Sequence, residues 1–126
     1  MSLTLEELAD LIKETSEKLN TAKVYWTLRA YGVKNFREAT VQLTQLCLAC
    51  KKLGIPITSR LVSAIQEKHI SCISANLHRL GDQHVLLLKR KSKIRDKSRV
   101  ISKYMIYEYM VHPAFAKLFN GEEQEQ

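Results

Sequence analysis

Three glycines divide most of the chain into stretches with the spacing of an α-helix. Gly32, Gly54 and Gly81 each follow a segment in which apolar residues recur at intervals of three and four. That spacing places the apolar side chains on one helical face, and a glycine just past the last turn commonly ends a helix. Because each apolar face must be buried against another, the pattern predicts several helices packed around one core.

The first stretch covers residues 4–30 and predicts one long N-terminal helix. Thr4 and Glu7 have the spacing of a capping box at its start. Its expected apolar stripe consists of Leu5, Leu8, Ile12, Thr15, Leu19, Ala22 and Trp26. Such a stripe could pack on its own domain or on a second chain, and the sequence leaves both possibilities open. We therefore assign residues 1–34 to an N-terminal helix with a possible role in dimerisation.

The next three helices are predicted from capping residues and apolar spacing. Asn35 and Glu38 form a potential capping pair for the second helix, which Gly54 ends. Pro56 disfavours a helical residue before it and so predicts a short extended piece. Thr58 is expected to cap a third helix, and Ser71 a fourth. The apolar positions of the fourth helix are Ile73, Leu77 and Leu80.

The pattern changes after the fourth helix to two β-prone runs around a basic segment. The first run spans residues 85–88, and the second starts at Val100 and passes through Tyr107. Between them, seven of the eleven residues from Lys89 to Arg99 are basic. Two strands flanking such a tip predict a β-hairpin. Pro113 fits the first turn of a short final helix.

Positive charge is concentrated in particular segments of the chain. The formal net charge is +7, from 20 Lys and Arg against 13 Asp and Glu. Residues 85–105 carry eight bases and one acid, whereas residues 1–22 carry five acids and two lysines. An excess of this kind favours polyanionic partners such as DNA, RNA or acidic membranes. The basic segment lacks the interleaved aromatic residues of proteins that bind single strands.

From residue 36 the order is helix, short extended piece, helix, helix and basic hairpin. That order resembles the winged helix-turn-helix DNA-binding transcription regulators, including MarR-like and PadR-like proteins of bacteria, archaea or viruses. The most specific part is residues 70–80, ISCISANLHRL. It is similar to the family's recognition helix, in which an apolar residue is followed directly by a serine, and further apolar residues lie four and seven positions after the first. The resemblance covers about residues 36–108 and identifies no particular protein.

The resemblance implies an α+β, mostly α fold: a winged helix-turn-helix with an additional N-terminal helix and a two-stranded β-wing. Residues 35–120 would form the DNA-binding domain, and residues 121–126 a disordered tail. A recognition helix at about residues 71–81 would enter the major groove, and a wing at 89–99 would contact the backbone or the minor groove. The implied contacts are Ser71, Cys72, Ser74, Ala75, Asn76, His78 and Arg79 on the helix, and Lys89, Arg90, Lys91, Lys93, Arg95, Lys97 and Arg99 on the wing.

Side-chain chemistry fits those roles on the helix. Asn76 has the donor and acceptor pair that matches adenine, and Arg79 could contact guanine or a phosphate. Ser71 and nearby amides could hold a phosphate at the helix start. Since palindromic sites need two recognition helices, we expect a homodimer bound to double-stranded DNA.

Two other functions remain open from the sequence. One is a protein-interaction adaptor that uses the winged-helix fold without binding DNA. The other is a metal- or redox-responsive repressor that uses Cys47 and Cys50, although their apolar helical positions favour a structural role and a tetrahedral site needs about four ligands.

We expect neither catalysis nor a metal or other cofactor, because no glycine-rich phosphate loop, Ser/His/Asp arrangement or paired inward carboxylates are apparent. No apolar run approaches the roughly 18 residues of a membrane span. An odd cysteine count without a signal-peptide pattern predicts reduced thiols and a cytoplasmic location.

Overall fold

The computed structural model describes residues 4–91 and 107–121. Within them the chain is mostly helical with one small antiparallel sheet, which confirms the predicted α+β, mostly α class. The elements in chain order are α1 (Leu5–Glu17), α2 (Thr21–Tyr31), α3 (Glu38–Leu53), α4 (Ser59–Gln66), α5 (Ile70–Asp82), β1 (Leu87–Lys91), β2 (Tyr107–Val111) and α6 (Pro113–Phe119).

The prediction of one helix over residues 4–30 is wrong, because the chain breaks between α1 and α2. The capping box of Thr4 and Glu7 begins α1 as expected. A second N-cap then follows, because the side chain of Asn20 accepts a hydrogen bond from the backbone N–H of Lys23 at 3.2 Å. Asparagine offers the backbone this alternative to a continuing helix.

The break also changes which residues of the second half face the core. Val24, Thr27 and Leu28 are buried in α2, whereas Ala22 and Trp26 are exposed. In α1, Ile12 is fully buried and Leu5 is exposed. The predicted stripe therefore holds from Leu8 to Leu19, and α1 packs against α3 and α4 of the same chain.

The corner between α1 and α2 is held by Gln45, a buried polar side chain of α3. Its Nε2 donates to the carbonyl oxygens of Ser16, at 2.7 Å, and Leu19, at 3.2 Å. Its Oε1 accepts a longer bond from the hydroxyl of Thr21, at 3.4 Å. The Ser16 carbonyl also accepts from the Leu19 N–H at 3.1 Å, so the Gln45 amide adds a second bond there and supplies the donor for the Leu19 carbonyl.

Helix α3 is the centre of the core. Every residue from Leu43 to Cys50 is buried, because α1, α2 and β2 all pack against this helix. Gly54 ends α3 in a left-handed conformation, as predicted. The predicted capping pair of Asn35 and Glu38 is wrong: Arg37 is the N-cap residue, and within the described chain it makes no side-chain capping bond.

Helices α4 and α5 are joined by three residues and pack against each other. Thr58 caps α4 as predicted, with its hydroxyl accepting from the N–H of Leu61 at 3.2 Å. The prediction that Ser71 caps α5 is wrong. His69 is the N-cap instead, because its ring Nδ1 accepts from the backbone N–H of Ser71 at 3.2 Å. Glu67 makes the turn in a left-handed conformation, with φ of 54°.

The sheet joins the helix pair to the rest of the core. β1 pairs antiparallel with β2, from Leu87 opposite Val111 to Lys91 opposite Tyr107. On the other side of β2, Ile57 and Tyr109 exchange backbone hydrogen bonds of 3.1 and 2.7 Å. The extended piece before α4 and the strand after α5 therefore flank the same strand.

The first strand of the predicted hairpin differs from the structure at both ends, since it continues to Lys91 instead of ending at residue 88. The first strand begins at Leu87 instead of residue 85, because Val85 has a left-handed φ of 53° that a strand does not allow. The Tyr31 hydroxyl donates to the Val85 carbonyl at 2.9 Å and ties α2 to this turn. The final helix starts at Pro113 as predicted. The predicted strand residues 100–106 and tail residues 122–126 lie outside the described residues.

We predict that Gln45→Leu lowers the free energy of unfolding by about 1–3 kcal/mol, because it removes both hydrogen bonds of the buried amide and leaves the Leu19 carbonyl without its donor. Chemical denaturation followed by circular dichroism measures this change. Gln42→Leu is the matched control, since Gln42 is exposed on the same helix. Equal effects of the two substitutions would show that the Gln45 hydrogen bonds do not stabilise the corner.

Candidate nucleic-acid interface

Helix α5 presents a polar, solvent-exposed face opposite its apolar stripe. Ile73 and Leu77 are fully buried and Leu80 is 3% exposed, as the sequence predicted. Of the predicted contact residues, those exposed to solvent are Ser71, Cys72, Ser74, Ala75, His78 and Arg79. The helix is thus anchored on one side and free for a ligand on the other.

Helical spacing separates the centre of this face from its edges. Ser71, Ala75 and His78 lie on the side directly away from the buried stripe, at intervals of three and four. Asn76 is half-buried because its position borders the apolar stripe. Asn76 is therefore less favourably placed for reading bases than Arg79, which is exposed.

One exposed side-chain hydrogen bond joins α5 to α4, and another joins α4 to the turn between them. The Ser74 hydroxyl donates to the Ser59 hydroxyl at 2.9 Å, and the Ser63 hydroxyl donates to the Lys68 carbonyl. Small side chains allow the two helices to approach closely. Ser74 is thus committed in part to the contact between the helices, a role that the sequence did not indicate.

Two exposed cations and one acid of the α4–α5 pair were not among the predicted contact residues. Arg60 lies in the first turn of α4, and Lys68 lies in the turn before α5. Cations beside helix N-termini are well suited to phosphate contacts. Asp82 forms an exposed pair with His78, with 2.9 Å between Oδ2 and Nε2. The capping role of His69 could have revealed the turn, but histidine is not among the preferred capping residues.

The predicted wing is described only at its base. Lys89 is exposed on β1. Arg90 and Lys91 lie in the same strand, opposite Glu108 and Tyr107 in the register. The remaining predicted contacts Lys93, Arg95, Lys97 and Arg99 lie outside the described residues.

Strand β1 packs against α5 near the C-terminal end of that helix. A Cβ atom added at Gly81 would lie 3.6 Å from the Leu87 carbonyl oxygen and 3.7 Å from the Tyr109 ring. Gly81 therefore lies close to both strands at the end of α5. The base of the basic segment is adjacent in the fold to the C-terminal end of this helix.

Two of the three cysteines belong to the core. Cys47 and Cys50 are buried in α3, and desolvation raises the pKa of the Cys47 thiol well above its usual value and that of Cys50 to about 12. Because the thiolate is the reactive form, both are expected to be inert. Cys72 is exposed on α5. Among the described residues, no group of three or more His, Cys, Asp or Glu side chains is arranged to hold a metal ion.

Comparisons with known proteins give no match for this chain: neither a family model, a curated protein nor a solved structure is significantly similar. Of the helices in the described segments, none has the length and apolarity to cross a bilayer. The geometry of α4, α5 and the sheet is thus the main guide to function.

We predict that one thiol of the native protein reacts rapidly with a disulfide reagent, because Cys72 is exposed while burial disfavours the thiolates of Cys47 and Cys50. Absorbance measures the number of released thiols, and all three should react in denaturant. Cys72→Ser should abolish the rapid native reaction. A rapid reaction that persists in this variant would show that α3 opens readily.

Proposed function

We propose that the chain is a sequence-specific double-stranded DNA-binding transcription regulator of the winged helix-turn-helix type. α5 would lie in the major groove, and the basic segment 89–99 would contact the backbone or the minor groove as a wing. The observation that carries this proposal is the exposed polar face of α5, held by a buried apolar stripe and joined to α4 by a three-residue turn.

The order of elements supports the winged-helix assignment. α3, the extended piece at Ile57, α4, α5 and then the two strands follow the order that the resemblance implies. The pairing of Ile57 with Tyr109 ties the segment before the helix pair to the strand after the basic segment. A helix pair supported in this way has the rigidity that base recognition needs.

The chemistry of the exposed face also fits duplex DNA. The major groove is about 12 Å wide and admits a helix, and the short side chains of Ser71 and Ala75 would allow the backbone of α5 to come close to base edges. Arg79 supplies the forked donors that pair with guanine. The cations Arg60 and Lys68 would contact phosphates, which position the protein without reading sequence.

A homodimer is part of the proposal. Two copies related by a two-fold axis would place two α5 helices on half-sites about one helical turn apart.

We predict that Arg79→Ala lowers affinity for a preferred duplex by about tenfold or more, and for random duplex much less, because a bidentate base contact contributes roughly 1–3 kcal/mol of discrimination. The preferred duplex comes from selection out of a random library at moderate salt, and fluorescence anisotropy measures binding. Asp82→Asn should raise affinity for both duplexes, since it removes a negative charge from the same face. Lys117→Ala, which removes one exposed cation of α6, serves as the control.

Two outcomes would contradict this account of α5. Equal losses on both duplexes in Arg79→Ala would remove its role in reading bases. An absence of duplex binding by the wild-type chain even at low salt would favour the adaptor function instead.

We predict that Lys91→Ala combined with Arg95→Ala weakens binding to all duplexes and flattens the dependence of log affinity on log salt by about two, since each lost phosphate contact lowers that slope by roughly 0.9. Affinities at four or more salt concentrations measure the slope. Lys51→Ala combined with Lys52→Ala removes the same charge from the end of α3, where both lysines are exposed. If the two double variants change this slope equally, the wing does not contact the duplex.

A further inference from the structure

An open apolar groove of about 520 Å³ lies between α2 and the start of α3. Its lining residues are Thr21, Ala22, Tyr25, Trp26, Phe36, Arg37, Glu38 and Val41. Trp26 is 65% exposed, more than any other large apolar side chain of the described residues. Exposed aromatic groups beside arginine are typical of the energetic centres of protein interfaces.

The aromatic side chains of the groove are held in place by their neighbours. The Tyr25 ring makes edge contacts with Phe36, at 5.2 Å between centroids, and with Trp26, at 5.5 Å. The Arg29 guanidinium donates to the Tyr25 hydroxyl at 3.0 Å. A surface organised in advance loses less side-chain entropy when a partner binds.

Two arginines and one acid lie at the groove. Arg37 and Glu38 line it, and Arg29 contacts the lining residue Tyr25, so the two bases outnumber the one acid. A partner segment that fills the groove should therefore combine an apolar side chain with carboxylates.

The outer face of α1 has this composition. Leu11 is 38% exposed, and Glu7 and Glu14 lie one helical turn to either side of it. Asp10 lies between them on the same outer face, and all three acids are exposed. The only base that pairs with these acids among the described ion pairs is Lys18, at 3.5 Å from Glu14. One chain thus carries both an acidic helix with an apolar centre and a basic groove with an aromatic floor.

We propose that a second copy of this chain places the outer face of its α1 in the groove between α2 and α3, and that the contact is reciprocal in a two-fold symmetric dimer. α1 and α2 are consecutive helices joined at residues 18–20. A two-fold axis repeats every contact between the copies, so a dimer of this kind would use the acidic face and the groove of both chains. This inference deepens the dimer of the proposed function and rests on that function for its purpose, which is to present two copies of α5.

Trp26 supplies a direct readout because it is the only tryptophan of the chain. Burial of its indole in the dimer should shift the emission maximum to shorter wavelength. We expect this maximum to move to longer wavelength on dilution, over the concentration range in which sedimentation velocity shows dimer converting to monomer. Met110→Ala, at a similarly exposed apolar residue of β2, should leave both curves unchanged.

A charge exchange between two variants tests the reciprocal contact. Variant one carries Asp10→Lys and Glu14→Lys, and variant two carries Arg29→Glu and Arg37→Glu. Each alone should be monomeric at concentrations where the wild type is dimeric, because like charges would oppose each other at both halves of the contact. An equimolar mixture should restore a dimer, since α1 of each variant then faces a groove of opposite charge. Circular dichroism verifies that both variants are folded.

The outcomes separate this inference from the proposed function. A wild-type chain that is monomeric at every concentration, or variants that both dimerise alone, would overturn the dimer contact even if the chain binds duplex DNA. A dimer that follows the expected charge exchange but binds no DNA would support the contact and contradict the regulator. A wild-type dimer with unchanged Trp26 emission would also overturn the contact.

Discussion

The burial of Ile73, Leu77 and Leu80 determines how α5 is presented to its surroundings. Each such side chain contributes about 2 kcal/mol when it is transferred from water to the core, so the helix cannot rotate about its axis without losing several of these contacts. The polar residues of α5 are consequently fixed on its solvent-exposed side. The proposed interface is therefore a consequence of core packing, and the side chains that would contact DNA need not stabilise the fold.

The same core explains how a helical N-terminal segment supports the helix pair. α3 is buried along its middle and contacts α1, α2 and β2, while α1 also contacts α4. Gln45 satisfies the backbone where α1 turns into α2. Because α4 rests on α1 and α5 rests on α4, the orientation of the exposed face depends on a chain of contacts that passes through the N-terminal helices.

Apolar spacing predicted most of the fold. The wrong predictions concern which residues cap the helices and where one helix ends and the next begins. The inward residues of α5, the cap at Thr58 and the ends of α2 and α3 at Gly32 and Gly54 were predicted because each is a local signal. The break at Asn20 was missed, since the apolar stripe continues across it in sequence. In the candidate interface, the exposed residues of α5 followed from the same spacing, but the Ser74 contact with Ser59 depends on tertiary packing and has no local signal.

A titration of ¹⁵N-labelled protein with duplex DNA, followed by amide chemical shifts, measures whether the outer face of α5 contacts the duplex. We expect the largest changes at the amides from Ser71 to Arg79 and at the turn containing Lys68. The amides of α6, which packs against α2, should be nearly unchanged. Shifts that concentrate on α6 or on the groove beside Trp26, with α5 unaffected, would contradict the binding of DNA by α5.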